Sequence, residues 1–208
     1  LTLFQLLRER IGSRLNAFEI IPHIGLAMQL RHRMLDRDPT AAPSPWYALI
    51  EVARMAGSAP GTLSEAIEAA FENGLIDNAV LAESLDDRTR MWRFREQMSE
   101  VQSAEGASIK HDVSVPIAAV PQLIAEGSAA AERLVPGIRP VPFGHMGDGN
   151  IHFNFSQPEG ADGKRFMAEA DEPVHAAIYE VVTRLGGSIS AEHGIGQLKV
   201  DLLRQNKD

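Results

Sequence analysis

Residues 143–154 read FGHMGDGNIHFN. Asp148-Gly149 is a strong two-residue hairpin signal, because a type I′ turn wants positive φ at both central positions. That loop sets Gly147 opposite Asn150, Met146 opposite Ile151, His145 opposite His152 and Phe143 opposite Asn154. Directly opposed residues carry Cβ atoms about 4.5–5.5 Å apart on one face of the ladder. The spacing therefore predicts two imidazoles within reach of one ion, on strands GIRPVPFGHM and NIHFNFSQP. A longer loop across GDGN relaxes the pairing without carrying the histidines far apart.

Around this hairpin the chain mixes helices and strands. LFQLLRERI (3–11) has helical spacing and ends at Gly12, LNAFEIIP (15–22) reads as a strand, and HIGLAMQLRHRM (23–34) as an amphipathic helix. The three prolines of 36–45 mark a loop before the strand WYALIEVARM (46–55). Thr62 and Glu65 fit a capping box, followed by a predicted buried stripe of Leu63, Ile67, Ala70 and Phe71, closed by Gly74. LIDNAVLAE (75–83) is expected as a strand, and 86–103 as one long helix with Met91, Phe94, Met98 and Val101 inward. SIKHDVSVP (108–116) alternates as a strand, and a helix is expected over 118–133. Pro173 suits the first turn of a helix running to about Leu185. After Gly186-Gly187 come a short strand SISA, a loop EHGIG and a last helix QLKVDLLRQ. This order implies an α+β fold, an antiparallel β-sheet covered by helices on one face in a ferredoxin-like arrangement.

The chain has 208 residues, 44% of them hydrophobic, and a net charge of -8, which argues against nucleic-acid and anionic-membrane partners. No apolar run is long enough to span a bilayer. The absence of cysteine excludes disulfides, thiolate zinc sites and a cysteine nucleophile, and leaves the compartment open; the cytoplasm is the expectation. The chain starts at Leu and stops at QNKD, as expected of a piece of a longer protein.

Hairpin histidines are often solvent-facing or hydrogen-bonded fillers. Glu192-His193, in AEHGIG, changes the weighing: two histidines and one carboxylate make three protein ligands and leave coordination positions open. Glu192 also reads as a surface carboxylate or helix cap, and spacing alone does not bring it to the hairpin.

GHMGDGNIHFN together with SAEHGIGQLK resembles the C-terminal substrate domain of FAD-linked oxidases of the vanillyl-alcohol-oxidase type. The branch it resembles holds D-2-hydroxyglutarate dehydrogenase, D-lactate dehydrogenase and glycolate oxidase. WRFREQMSEVQSAEGASIKHDVSVP is similar to that family's segment joining a substrate-binding helix to the next strand. The resemblance runs from about LNAFE onward, so the whole of 1–208 is expected to be a substrate- and metal-binding domain. It implies His145, His152 and Glu192 as ligands of a divalent metal, usually zinc, and His193 as the catalytic base. It implies Arg95, Ser99, Lys110 and Asn154 as substrate contacts, with Ser99 standing where the branch has Thr. The implied partners are a small 2-hydroxy acid and the flavin domain of the same protein, which would hold most of the FAD. A homodimer is compatible with this. Without that domain the chain is expected to bind flavin poorly and turn over little.

The same residues suit the chemistry. Arg95 and Ser99 are four apart, so a continuous helix places them on one face, where the guanidinium could take a carboxylate through two parallel hydrogen bonds. Arg95 also fits a solvated charge face with Arg93 and Glu96. Lys110 could serve a second carboxylate or extend to solvent. A metal would lower the hydroxyl pKa, making a neutral histidine an adequate base; His193 also fits as a backbone-bonded loop residue. Gly194 and Gly196 allow close backbone approach. His23, His32, His111 and His175 have no organised partners in sequence, and Lys199 reads best as a helix-surface residue. Two other functions fit the pattern, a metal-dependent hydrolase with a two-His, one-Glu site and a non-catalytic binding module.

Overall fold

The computed structural model describes residues 1–40, 42–53 and 62–191. They fall into two compact units, Leu1–Val101 and Gln102–Asp208.

In the first unit, α1 (Thr2–Ile11) buries Phe4, Leu7 and Ile11 and ends at Gly12, whose φ of 65° stops the helix. β1 (Leu15–Pro22) and β2 (Trp46–Val52) pair antiparallel, joined through α2 (His23–Arg31). α3 (Thr62–Glu72) packs against α1. The expected stripe is displaced: Ala66, Ala69 and Ala70 are the buried residues, while Phe71 is exposed. Small side chains let two helices approach closely, so an alanine face replaces the larger one. Residues 75–83 form no strand, and Val80 and Leu81 stand largely open. An apolar composition does not hold a strand without a neighbour to pair with.

α4 (Leu85–Glu96) starts at a capping box of Ser84 with Asp87. Gln97 interrupts the expected single helix, which resumes as α5 (Met98–Ala104). Phe94, Met98 and Val101 are buried as predicted. Two carboxylates tie α4 to the strands. Glu51 on β2 accepts hydrogen bonds from Arg88, Trp92 and Asn16. Burial pushes its carboxyl up, but the bonds from Trp92, Asn16 and Arg88 together hold it below the usual carboxylate range. Glu19 on β1, fully buried, pairs with Arg95 Nε at 2.5 Å. Gln29 of α2 donates to the Phe94 carbonyl at 2.7 Å, fixing the same helix from another side.

The second unit runs β3 (Ser108–Ile109), β4 (Asp112–Ser114), α6 (Val120–Leu134), β5 (Arg139–His145), β6 (Asn150–Ser156) and α7 (Gly163–Arg184). β6 pairs antiparallel with β5 on one side and with β3 and β4 on the other. Ser188 then bridges Ser114 antiparallel, so the segment after α7 lies beyond β4. Taking β3 and β4 as one interrupted strand, and the bridge at Ser188 in the place of a last strand, the order is β-α-β-β-α-β with that bridge beside the first strand. This is the ferredoxin-like arrangement the sequence predicts. Ile151, Phe153 and Phe155 share one face of β6 and are fully buried. A Cβ on Gly127 of α6 would lie 2.4 Å from the Phe153 ring, which shows how closely that helix covers this face.

Two expectations for this unit are corrected. SIKHDVSVP is not one strand but two, broken at Lys110-His111. The helix containing Pro173 begins ten residues earlier, capped by Asp162, whose side chain accepts from Arg165 N–H at 2.8 Å. Pro173 lies inside it on the exposed side, where water can satisfy the carbonyl that loses its amide partner.

Two variants test these constraints. Gly149 has φ 79°, and a Cβ there would stand 2.0 Å from the Val115 carbonyl oxygen. Gly149→Ala is expected to cost about 2 kcal/mol or more, read from the urea midpoint. Glu19→Ala leaves Arg95 without its buried carboxylate and is expected to cost about 3 kcal/mol or more, whereas Glu19→Leu with Arg95→Met stays within about 1 kcal/mol. Equal losses in the single and double variants would mean the pair is not what holds α4.

Candidate functional site

β6 is polar on the face turned away from the helices, through Asn150, His152, Asn154 and Ser156. The register shows what stands beside each. Val141 opposes Asn154, and Phe143 opposes His152, on the β5 side. Asp112 opposes His152, and Ser114 opposes Asn150, on the β4 side. β3 and β4 keep one register against β6, from Ile109↔Phe155 to Asp112↔His152, so Lys110 sits at the position across from Asn154. The same count sets His145 across from Asn150. Three rows result: Val141, Asn154, Lys110; Phe143, His152, Asp112; His145, Asn150, Ser114. Ring contact between Phe143 and His152, centroids 5.0 Å apart, confirms the shared face.

The expected two-residue turn is therefore corrected. His145 and His152 are diagonal rather than directly opposed, and Phe143, not His145, faces His152. The loop is four residues, Met146 to Gly149. Asp148 does not close a type I′ turn, because its carboxylate accepts the Asn150 amide at 3.0 Å. Gly149 gives its carbonyl to Val115 N–H at 3.1 Å, tying the loop to the chain after β4. Diagonal neighbours are about 7–8 Å apart at the backbone, still within reach of long side chains. The longer-loop alternative is the one the fold adopts.

Asn154 is buried, and its Oδ1 accepts the His111 backbone amide at 3.2 Å. The His111 ring in turn contacts the Phe153 carbonyl through Nδ1 at 2.8 Å. These two bonds replace one ladder bond at the break between β3 and β4, while Phe153 N–H still donates to the His111 carbonyl at 2.9 Å. His111 and His175, expected to lack organised partners, meet instead with ring centroids 4.4 Å apart, on the helix side of the sheet beside Tyr179. Burial raises the Tyr179 phenol pKa, and the Asp171 carboxylate adds to the effect.

Asp112 is a residue that sequence reasoning missed. It is buried, and its carboxylate lies 4.0 Å from His152 Nδ1. The alternation of SIKHDVSVP, which aligned it with Lys110, was the available signal. Lys110 itself is exposed at the edge of the patch.

Arg95 and Ser99 belong to the first unit. Arg95 is not on a solvated charge face, since Glu19 holds it in a mostly buried ion pair. With Nε directed at Glu19, the guanidinium is fixed in orientation. Ser99 is exposed and follows the interruption at Gln97. Glu192 and His193, with Gly194, Gly196 and Lys199, lie outside the described residues. The last described residue, Ala191, donates its amide to the Asp112 carbonyl at 3.2 Å, next to the row holding His152.

Among the described residues no three His, Asp or Glu side chains are placed to hold a metal. His145 and His152 supply two nitrogen donors on one sheet face, and a third donor is not among the described residues. No helix among them is long and apolar enough to cross a membrane.

The family model described as FAD linked oxidases, C-terminal domain, matches residues 2–208. D-2-hydroxyglutarate dehydrogenase of Xanthomonas citri pv. viticola is 35% identical over 93% of this chain and 40% of its own length. The mitochondrial D-2-hydroxyglutarate dehydrogenases of Arabidopsis thaliana and Bos taurus are 30% and 31% identical, over 96% and 98% of this chain and 34% and 36% of their own lengths. The chain thus spans about two fifths or less of these relatives. With a family match along nearly its whole length, the chain belongs to the C-terminal domain family of the FAD linked oxidases.

Proposed function

We propose that this chain is the substrate-binding part of an FAD-dependent D-2-hydroxy acid dehydrogenase, and that its substrate is D-2-hydroxyglutarate rather than D-lactate or glycolate. The observation that carries this is the patch on β6, where Lys110, Asn154, His152 and His145 gather on one sheet face. Relatives named D-2-hydroxyglutarate dehydrogenase support the choice of acid. A dicarboxylate needs two cationic contacts, and Arg95 and Lys110 are the candidates.

In this reading Arg95, with Ser99, takes one carboxylate and Lys110 the other. Asn154 lends its amide nitrogen, because its oxygen is already used by His111. His193 takes the proton of the 2-hydroxyl as the hydrogen on the same carbon leaves with its electron pair, giving the 2-oxo acid. FAD, held mainly by another part of the protein, supplies the two-electron acceptor. His145, His152 and Glu192 would hold a divalent cation such as zinc, which would polarise the substrate oxygens. Support for that ligand set is the two histidines on one face and the pairing of Ala191, one residue before Glu192, with Asp112. Asp112 beside His152 suits the carboxylate that orients a metal-binding imidazole.

The test uses the flavin-loaded holoenzyme and a panel of D- and L-2-hydroxy acids, following flavin reduction. D-2-hydroxyglutarate is expected to exceed D-lactate in kcat/KM by about tenfold or more. Lys110→Ala is expected to remove most of that preference by raising KM for the dicarboxylate alone. Reduction by none of the acids sinks the function, and reduction that survives exhaustive chelation removes the metal from it.

A further inference from the structure

Asn150 is 4% exposed, and neither its Oδ1 nor its Nδ2 has a hydrogen-bond partner among the described residues. The main chain around it is well satisfied, with its own amide bonded to Asp148. Asn154, two positions along on the same face, differs in having its oxygen committed to His111. A buried amide left without partners costs folding free energy, whereas an apolar side chain of the same shape would not. An asparagine in that state on the polar face, in the row with His145 and Ser114, needs a partner that is not part of the sheet.

The two orphaned atoms limit what that partner can be. Oδ1 needs a donor and Nδ2 needs an acceptor, on adjacent atoms of one ligand. A lone carboxylate or a cation satisfies one of them only. A 2-hydroxy carboxylate satisfies both as it binds, because its hydroxyl donates to Oδ1 until that proton passes to His193, while the neighbouring carboxylate oxygen accepts from Nδ2. We propose that Asn150 is a substrate-contacting residue that reads the 2-hydroxyl and adjoining carboxylate together. Oxidation to the 2-oxo acid removes the donor and leaves Oδ1 orphaned again, so the same residue favours substrate over product. The assignment rests on the 2-hydroxy acid reading of the site and extends it, since Asn150 is the central member of the row His145, Asn150, Ser114.

The experiment compares Asn150→Leu and Asn150→Asp with the unaltered holoenzyme. Three quantities are read: KM for D-2-hydroxyglutarate, the inhibition constant of glutarate, which lacks the hydroxyl, and the thermal midpoint. In the unaltered enzyme glutarate is expected to bind about tenfold or more weaker than the substrate. Asn150→Leu keeps its thermal midpoint and closes that gap, by raising KM more than the glutarate constant. Asn150→Asp keeps the shape but sets a carboxylate against the substrate's own, weakening both ligands; it carries the test if the leucine variant fails to fold. An unchanged gap in an active leucine variant, or unchanged affinity in the aspartate variant, overturns the inference alone. Flavin reduction by no 2-hydroxy acid in the unaltered enzyme overturns the reading of the site, and this inference with it.

Discussion

The register of β6 is the constraint on which the second unit depends. Its residues alternate between Ile151, Phe153 and Phe155 on the helix side and Asn150, His152, Asn154 and Ser156 on the other. A slip of one residue would turn three large apolar side chains out of the core and drive four polar ones into it. Each of those apolar side chains contributes roughly 1.5–3 kcal/mol when buried, so the core alone sets the register firmly. The polar residues are carried to their places by the same choice. Their positions against Asp112, Phe143 and Lys110 follow from hydrophobic packing on the opposite face, with no polar contact needed to set them.

Holding a cation in the first unit follows a different rule. Arg95 stays oriented because Glu19 has no water to fall back on: a fully buried carboxylate needs its counter-charge far more than an exposed one does. Surface pairs on the same helix, such as Arg90 with Asp86, have water as an alternative partner and constrain little. Glu51 acts on α4 from the strand β2 through Arg88 and Trp92. The helix that carries the candidate substrate arginine is therefore docked by two carboxylates, at separate points along its length.

Where the chain's local pattern and its tertiary environment agree, the sequence is readable. α1, β1, β2, the strands of the hairpin and the inward face of Phe94, Met98 and Val101 were legible because burial rewards the same periodicity that composition displays. The order of helices and strands around the hairpin also led to the ferredoxin-like arrangement. Failures have specific causes. Asp148-Gly149 looks like a tight turn, but the Asp148 carboxylate prefers the Asn150 amide and Gly149 pairs with Val115, both outside a two-residue loop. Pro173 looks like a helix start, yet on an exposed face its missing amide costs little beyond one bond. LIDNAVLAE has a strand's composition and no strand to join. His111 and His175 are 64 residues apart in sequence, so only the docking of α7 on the sheet could reveal that they meet.

The break between β3 and β4 explains why the patch is polar and still ordered. A continuous strand would spend the His111 amide and the Phe153 carbonyl on each other. Here the His111 ring takes that carbonyl and the Asn154 side chain takes that amide. Asn154 is thereby held with its oxygen engaged by the strand, which leaves its Nδ2 as the uncommitted group for anything bound at the face. Asn150 has no such obligation and keeps both functions of its amide. Two asparagines on one strand face, alike in sequence, thus differ in what they can recognise, and the difference comes from one interrupted ladder bond. Beyond β4, Ser188 pairs with Ser114 and Ala191 with Asp112. The strand that interrupts itself to set Asn154 is therefore also the one that pairs with the chain after α7, as far as Ala191, the last described residue.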